Sequence, residues 1–246
     1  MPVTRIGLSL LKGTRHRTLN RLDLDAAGAH GDRELCLIDV ERDRILRTIE
    51  VPSLVPVEAF WDGDDLVVRM PGGEEVRAPL VSSAPPASAD YWGRAASITR
   101  QASPHAQVLS AYLGRPVELA RAARGDIIFR ESISVVTSGA LTRLAERVDL
   151  ATEPLAERFR ATFTLDAEDD PPVGSRLRLG EAVIEVTRPI DRCAVVDIAP
   201  TTGVRTSGIL TALPLVDGAP TMGMAARVVT AGAVRTGDPG NVMSTP

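Results

Sequence analysis

Lysine is nearly missing from this chain: of 28 lysines and arginines, Lys12 alone is a lysine. A GC-rich genome favours arginine codons in general, but it does not account for the one lysine kept at position 12. Cysteine is just as sparse, with only Cys36 and Cys193 in 246 residues. Two such distant thiols make no disulfide framework, and they cannot ligate an iron–sulfur cluster or a structural zinc on their own. The expected compartment is a reducing cytoplasm. No apolar run approaches the ~20 residues that span a bilayer. The opening MPVTRIGLSLLKGTR lacks a small-residue cleavage pattern, so no signal peptide is expected. A net charge of −4 gives no electrostatic case for nucleic acid or an anionic membrane as partner.

Familiar motifs are absent too: there is no GxGxxG, no Walker loop, no HExxH and no GxSxG. The three histidines, His16, His30 and His105, stand in unlike contexts and read as solvent-facing loop residues. Asp169–Asp170, adjacent acids before two prolines, read as a solvated turn.

What is present reads as β-structure. Residues 3–9, 34–40, 45–51 and 65–70 are short apolar or alternating runs, and GDR, ERDR, DGDD and PGG punctuate them. SSAPPAS, low in apolar residues and carrying two prolines, reads as a linker. A helix is expected near 104–113. Another is expected over 138–148, where Leu141, Leu144 and Val148 recur at helical spacing behind Ser138 as the cap. FRATFTL, RLRLGEAVIEVT, DRCAVVDI and AARVVTAGAV follow as strands. The fold class is therefore β-rich with a few helices.

Taken together and in order, IGLSLLKGTRHRTLNRLDLDAAGAHGDRELCLIDV, ERFRATFTL, RLRLGEAVIEVTRPIDRC, APTTG and GAVRTGDP resemble the MOSC family, named after the C-terminal domain of molybdenum cofactor sulfurase. The resemblance covers nearly the whole chain. It implies a small N-terminal β-barrel module over 1–81, a linker over 82–94 and a MOSC β-barrel domain over 95–246, with the ligand cleft between the modules. It also implies the molybdenum cofactor, a molybdopterin, as in the mitochondrial amidoxime-reducing component and its bacterial counterparts. The cysteine of the family's RC motif, which ligates molybdenum and serves catalysis, falls on Cys193, with Arg192 before it. The lysine and arginine that hold the pterin's phosphate fall on Lys12 and Arg33. The FR arginine falls on Arg160, and a polar cofactor contact falls near Thr137. Gly13, where relatives carry serine, lets backbone approach a phosphate.

The chemistry behind those assignments stands without the family. Arginine's planar donors suit phosphate bidentately, and a soft thiolate suits a molybdenum ion. Cys36, in ELCLIDV, reads as core. Three functions compete on this basis. The first is an oxidoreductase that reduces N-hydroxylated or related small molecules with electrons from a separate donor protein. The second is a metal-free sulfur carrier that loads a persulfide on Cys193 from a cysteine desulfurase. The third is a non-catalytic module that stores or delivers the cofactor.

Overall fold

Five strands close on themselves: Leu35–Asp39, Arg44–Ile45, Ala87–Tyr91, Arg94–Ala102 and Val117–Ala122 pair in a cycle, the last returning to Leu35–Asp39. The structure is a computed structural model that describes residues 1–148, 150, 155–206 and 208–243. The barrel is too narrow to hold anything but side chains. Cys36, Ile38, Ile45, Ala89, Tyr91, Ala96, Ile98, Ala120, Ala122 and Ile127 fill it, alternate residues of each strand pointing inward.

Beside it lies a mixed nine-stranded sheet. Its middle consists of Val3–Leu8, Phe163–Leu165, Ile133–Thr137, Ala219–Thr230 and Ala182–Asp191, paired in that order. Its core joins Ile6, Phe163, Val135, Ile184 and Ala226, each at most 1% exposed. A second apolar cluster packs the Ser138–Ala145 helix and Phe159 against Val196, Ile209 and Met222. The molecule is mostly β, with 46% strand and 16% helix among the described residues.

The chain order expected from the sequence is redrawn in several places. Residues 82–94, expected as a linker, carry the barrel strand Ala87–Tyr91 and the hairpin that turns it back. The barrel therefore runs from Leu35 to Ala122, across the expected boundary, and the first strand, Val3–Leu8, pairs with Phe163–Leu165 of the large sheet. The last three residues of the expected second module lie outside the described residues. Residues 45–51, expected as strand, hold strand only at Arg44–Ile45 and then coil into 3-10 turns at Thr48–Glu50 and Pro52–Leu54, with Pro52 opening the second.

The FRATFTL run splits into the end of a short helix, Leu155–Phe159, and a strand, Phe163–Leu165. The helix expected over 138–148 covers Ser138–Ala145, and its cap is Thr137, whose hydroxyl accepts from the Ala140 N–H at 3.4 Å. His16 and His105 are buried, 2% and 0% exposed, so of the three histidines only His30 faces solvent. The Pro104–Leu113 helix and the hairpins across Gly63 and Pro71–Gly73 are as the sequence reads.

Candidate functional site

The loop after the first strand and the turn before the first barrel strand are stitched together. Lys12 donates its N–H to the Leu35 carbonyl at 2.8 Å, and the Arg33 N–H donates to the Ser9 carbonyl at 2.7 Å. Gly13 sits at φ +96°, and a β-carbon there would come within 2.8 Å of Leu54. Turn geometry and packing on Leu54 therefore require the glycine. The Lys12 side chain runs over the Tyr91 ring, 5.3 Å from its centroid, and donates to the Leu46 carbonyl at 3.3 Å. Arg160 follows the Leu155–Phe159 helix and reaches back to the same loop. Its guanidinium donates to the Ser9 hydroxyl at 2.5 Å and the Thr14 carbonyl at 2.7 Å.

Lys12, Arg33 and Arg160, all half-buried, therefore share one cluster, as their effect on one another shows. Burial first, then Arg33, pushes the Lys12 ammonium down to about 8, with Arg160 and Arg47 adding to the effect. Burial, then Arg33, lowers Arg160 to about 9. Among the described residues no carboxylate lies within 4.0 Å of Lys12 or Arg160. Asp32, which acts on Arg160, is itself paired with Arg33. Arg33 and Arg160 both hold φ +51°, a left-handed conformation that side-chain-bearing residues rarely adopt. His16, packed between Arg5 and this cluster, stays neutral because burial, then Arg5, holds its pKa well below the usual range.

The thiol arrives from the other side. The expected DRCAVVDI strand ends at Asp191, and Cys193 opens a 3-10 turn, Ala194–Asp197, with its carbonyl accepting from the Val196 N–H at 3.1 Å. The Arg192 N–H still donates to the Pro220 carbonyl at 2.7 Å, in register with the Asp191–Thr221 pair, but Pro220 has no N–H to return the bond and the ladder stops there. Cys193 is exposed and Cys36 is buried. Arg192 anchors the loop, donating to the Met222 carbonyl at 2.8 Å and the Phe159 carbonyl at 2.9 Å, and its guanidinium lies 5.1 Å from the Phe159 ring centroid. Its remaining terminal nitrogen is buried without a hydrogen-bond partner among the described residues. Burial lowers its pKa to about 10 against the charges of Cys193 and Asp170.

The two sides meet. The turn after Leu46, Thr48–Glu50, packs on Ala194–Asp197, and Gly203 of the APTTG loop lies so close to the Pro52 carbonyl that a β-carbon would stand 2.7 Å from it. Arg160 and Val195 line the same water-sized gap. Thr137 stands apart from this cluster. Its buried hydroxyl donates to Asp170 at 2.9 Å as well as capping its helix, so the fold occupies the group expected to meet a cofactor.

Asp170 was missed in the sequence because paired acids before prolines read as a turn. In the structure Asp170 lines a cavity of about 250 Å³, together with Ala140, Leu144, Met222 and Gly223. Burial raises its pKa against the bonds from Thr137 and the Gly223 N–H. The left-handed φ of Arg33 and Arg160 could not be read from sequence.

Residues 120–240 match the model of the MOSC domain, and the chain is a MOSC-domain protein. Over its whole length it is similar in fold to the YuaD protein of Bacillus subtilis, with 15% identity, 96% of that chain covered and a TM-score of 0.50. A shorter similarity joins 46% of it to 55% of YiiM from Geobacillus stearothermophilus at 20% identity and a TM-score of 0.34. No curated protein matches the sequence. The MOSC family is associated with binding of the molybdenum cofactor, and its members are often molybdenum-related enzymes or sulfur carriers. No helix among the described residues is long and apolar enough to cross a membrane.

Whether this chain suits that cofactor turns on its donor set. Half-buried cations without carboxylate partners are what a dianionic phosphate requires, and an exposed thiol is what a soft metal requires. Among the described residues no three histidine, cysteine or carboxylate side chains gather as a metal-ligand set. Cys193 would thus be this chain's ligand to a metal that the cofactor itself carries. The residues fit the group.

Proposed function

We propose that this protein binds a molybdopterin by its phosphate at Lys12, Arg33 and Arg160, with the Cys193 thiolate as protein ligand to the metal. On this reading it acts as an oxidoreductase on N-hydroxylated or related small molecules. The observation that carries the proposal is the set of half-buried cations with no carboxylate on Lys12 or Arg160 among the described residues, gathered on the side where the exposed thiol loop docks. The bound cofactor would supply two-electron oxygen-atom chemistry. The chain itself contributes position and charge. Arg160, fixed by Ser9 and Thr14, keeps donors free for phosphate oxygens, and Lys12 adds a point charge. Arg192 holds the thiol loop against Phe159. Electrons come from a separate donor protein, because two cysteines cannot build an iron–sulfur relay in this chain.

The exposure of Cys193 favours a second reading. Here the thiolate accepts a sulfane sulfur from a desulfurase and hands it on without metal, a transfer between proteins that needs an open sulfur. Analysis of protein purified from a host that makes the cofactor separates these readings. Near-equimolar molybdenum with donor-dependent reductase activity is the expected result. Molybdenum without activity would leave a module that stores or delivers the cofactor. Cyanide-releasable sulfur on Cys193 without molybdenum would replace the oxidoreductase by the carrier.

A further inference from the structure

Four residues of the barrel, Tyr91-Trp92-Gly93-Arg94, form a two-residue hairpin closed by the Tyr91–Arg94 pair. Both central residues have positive φ, +57° at Trp92 and +78° at Gly93. Such turns favour asparagine or aspartate before the glycine, because a bulky side chain is strained there. Tryptophan therefore costs this turn stability.

Nor is its ring used as core: Trp92 is 44% exposed, and it meets the 56%-exposed Phe129 edge to face, with centroids 6.3 Å apart at 73°. The Phe129 loop is held beside the hairpin by Arg94, which donates to the Ile128 carbonyl at 3.0 Å. Arg47 lies 4.0 Å from the Trp92 centroid and Arg130 lies 5.3 Å from that of Phe129.

The position of the pair matters as much as its exposure. Arg47 adjoins Leu46, the acceptor of Lys12, and is one of the cations that act on Lys12. Tyr91, next to Trp92, lies under the Lys12 ammonium. On the other side Arg130 reaches Asp191 at 3.4 Å, two residues before Cys193. The aromatic pair thus links the cation cluster to the thiol loop.

We infer that Trp92 and Phe129 form a stacking platform for the planar ring of a phosphate-bearing heterocycle whose anionic end lies in the Lys12–Arg33–Arg160 cluster. The inference rests on the phosphate site proposed above and adds the second point of recognition. Aromatic faces hold planar bases by stacking and arginines extend that surface, whereas phosphate carries none of the ring's identity.

Calorimetry with three probes tests it on the purified protein: guanosine 5′-monophosphate, whose 2-amino-4-oxopyrimidine edge is that of a pterin, ribose 5-phosphate and inorganic phosphate. The wild type should bind the ring-bearing probe tightest. Trp92→Ala should weaken that probe about tenfold and leave the two ring-free probes unchanged. Trp92→Asn, which suits the turn, should cost the same affinity while melting no lower than the wild type. That combination separates a binding role from a structural one.

Equal affinity of the wild type for all three probes would overturn the platform and leave the phosphate site standing. The same result follows if Trp92→Asn binds the nucleotide as well as the wild type does, or if it melts lower and loses all three probes alike. A wild type that binds none of the three would overturn the phosphate site and the platform with it.

Discussion

The two rims of the candidate site treat their chemistry in opposite ways. On the barrel rim, charge is drawn out of water. Lys12 and Arg160 are desolvated, sit among like charges, and have no carboxylate within 4.0 Å among the described residues. On the thiol rim the reactive atom is left in solvent, and burial falls on its neighbour Arg192 and on Val196 behind it. The contrast runs through the cysteines as well. Cys36, inside the barrel, is pushed up to about 12 by burial and is chemically quiet at neutral pH, while Cys193 stands open at the head of a turn. Burying an uncompensated cation lowers the stability of the empty protein, whereas exposing a thiol costs almost nothing. On the proposed reading the barrel rim holds the anion and the thiol rim carries the chemistry.

Exchanging the cysteines one at a time should break that comparison most sharply. Cys193→Ser should abolish molybdenum retention and sulfur loading, a loss of at least about a hundredfold, because a hydroxyl stays protonated and ligates soft metals poorly. Its melting temperature should stay near wild type. Cys36→Ser should do the reverse, costing about 1–3 kcal/mol through a hydroxyl buried among apolar side chains while leaving the chemistry intact. Metal analysis and thermal melts on both variants check this. A fully active Cys193→Ser would refute both the oxidoreductase and the carrier.

The cations come next. Lys12 is half-buried along Tyr91, so alanine would remove packing as well as charge, and methionine isolates the charge. Lys12→Met and Arg160→Met should each weaken retention of the anionic ligand by about ten- to a hundredfold while raising the melting temperature of the ligand-free protein. Variants that melt lower and bind phosphate normally would show these cations to be structural.

A smaller effect lies in pH. The Lys12 pKa falls from 10.5 to about 8 on folding. Below pH 8 both states carry the proton, and the folded state bears the whole cost of burying it. Between pH 8 and 10.5 the unfolded chain binds more protons, so stability rises with pH there and levels off above. The stability deficit of the wild type relative to Lys12→Met should shrink across that window, by on the order of 2 kcal/mol. Paired denaturant titrations from pH 7 to 10.5 measure it, and parallel curves would show that the ammonium is already compensated. Binding of an anion should weaken over the same range.

Much of this was legible in the sequence, and the failures have a common cause. Alternation marked the Val3–Leu8 strand but says only which face is buried, not that the partner is Phe163–Leu165. Proline and serine made 82–88 read as a linker, although the strand Ala87–Tyr91 buries Ala89 and Tyr91 in the barrel. The β-branched AVVDI suggested strand, yet the ladder stops at Pro220, which has no N–H to return the bond it accepts from Arg192, and Cys193 beyond it is exposed. Lys12, Arg33 and Arg160 were nameable through the family resemblance, which the KG loop, the GDR turn and the FR pair carry in the sequence. Asp170 was not, since its burial depends on a threonine and a glycine that lie far away in sequence. Local chemistry was readable, whereas non-local pairing and desolvation were not.

Thr137 offers the finest test of the comparison, because it stands apart from the cation cluster and the fold already occupies its hydroxyl. Its hydroxyl is buried, accepts from the Ala140 N–H at the head of the Ser138–Ala145 helix and donates to Asp170. Removing it with the near-isosteric Thr137→Val strips one helix cap and leaves Asp170, already pushed up by burial, with one donor fewer. The expected cost is about 1 kcal/mol for the cap and a little more for the carboxylate. Thr137→Ser keeps the hydroxyl and should recover most of it. Neither variant should change retention of a phosphate probe, since no bond links Thr137 to Lys12, Arg33 or Arg160 among the described residues. If Thr137→Val instead weakens the phosphate probe at unchanged melting temperature, the hydroxyl faces the ligand after all. The barrel rim would then extend to the Ser138–Ala145 helix.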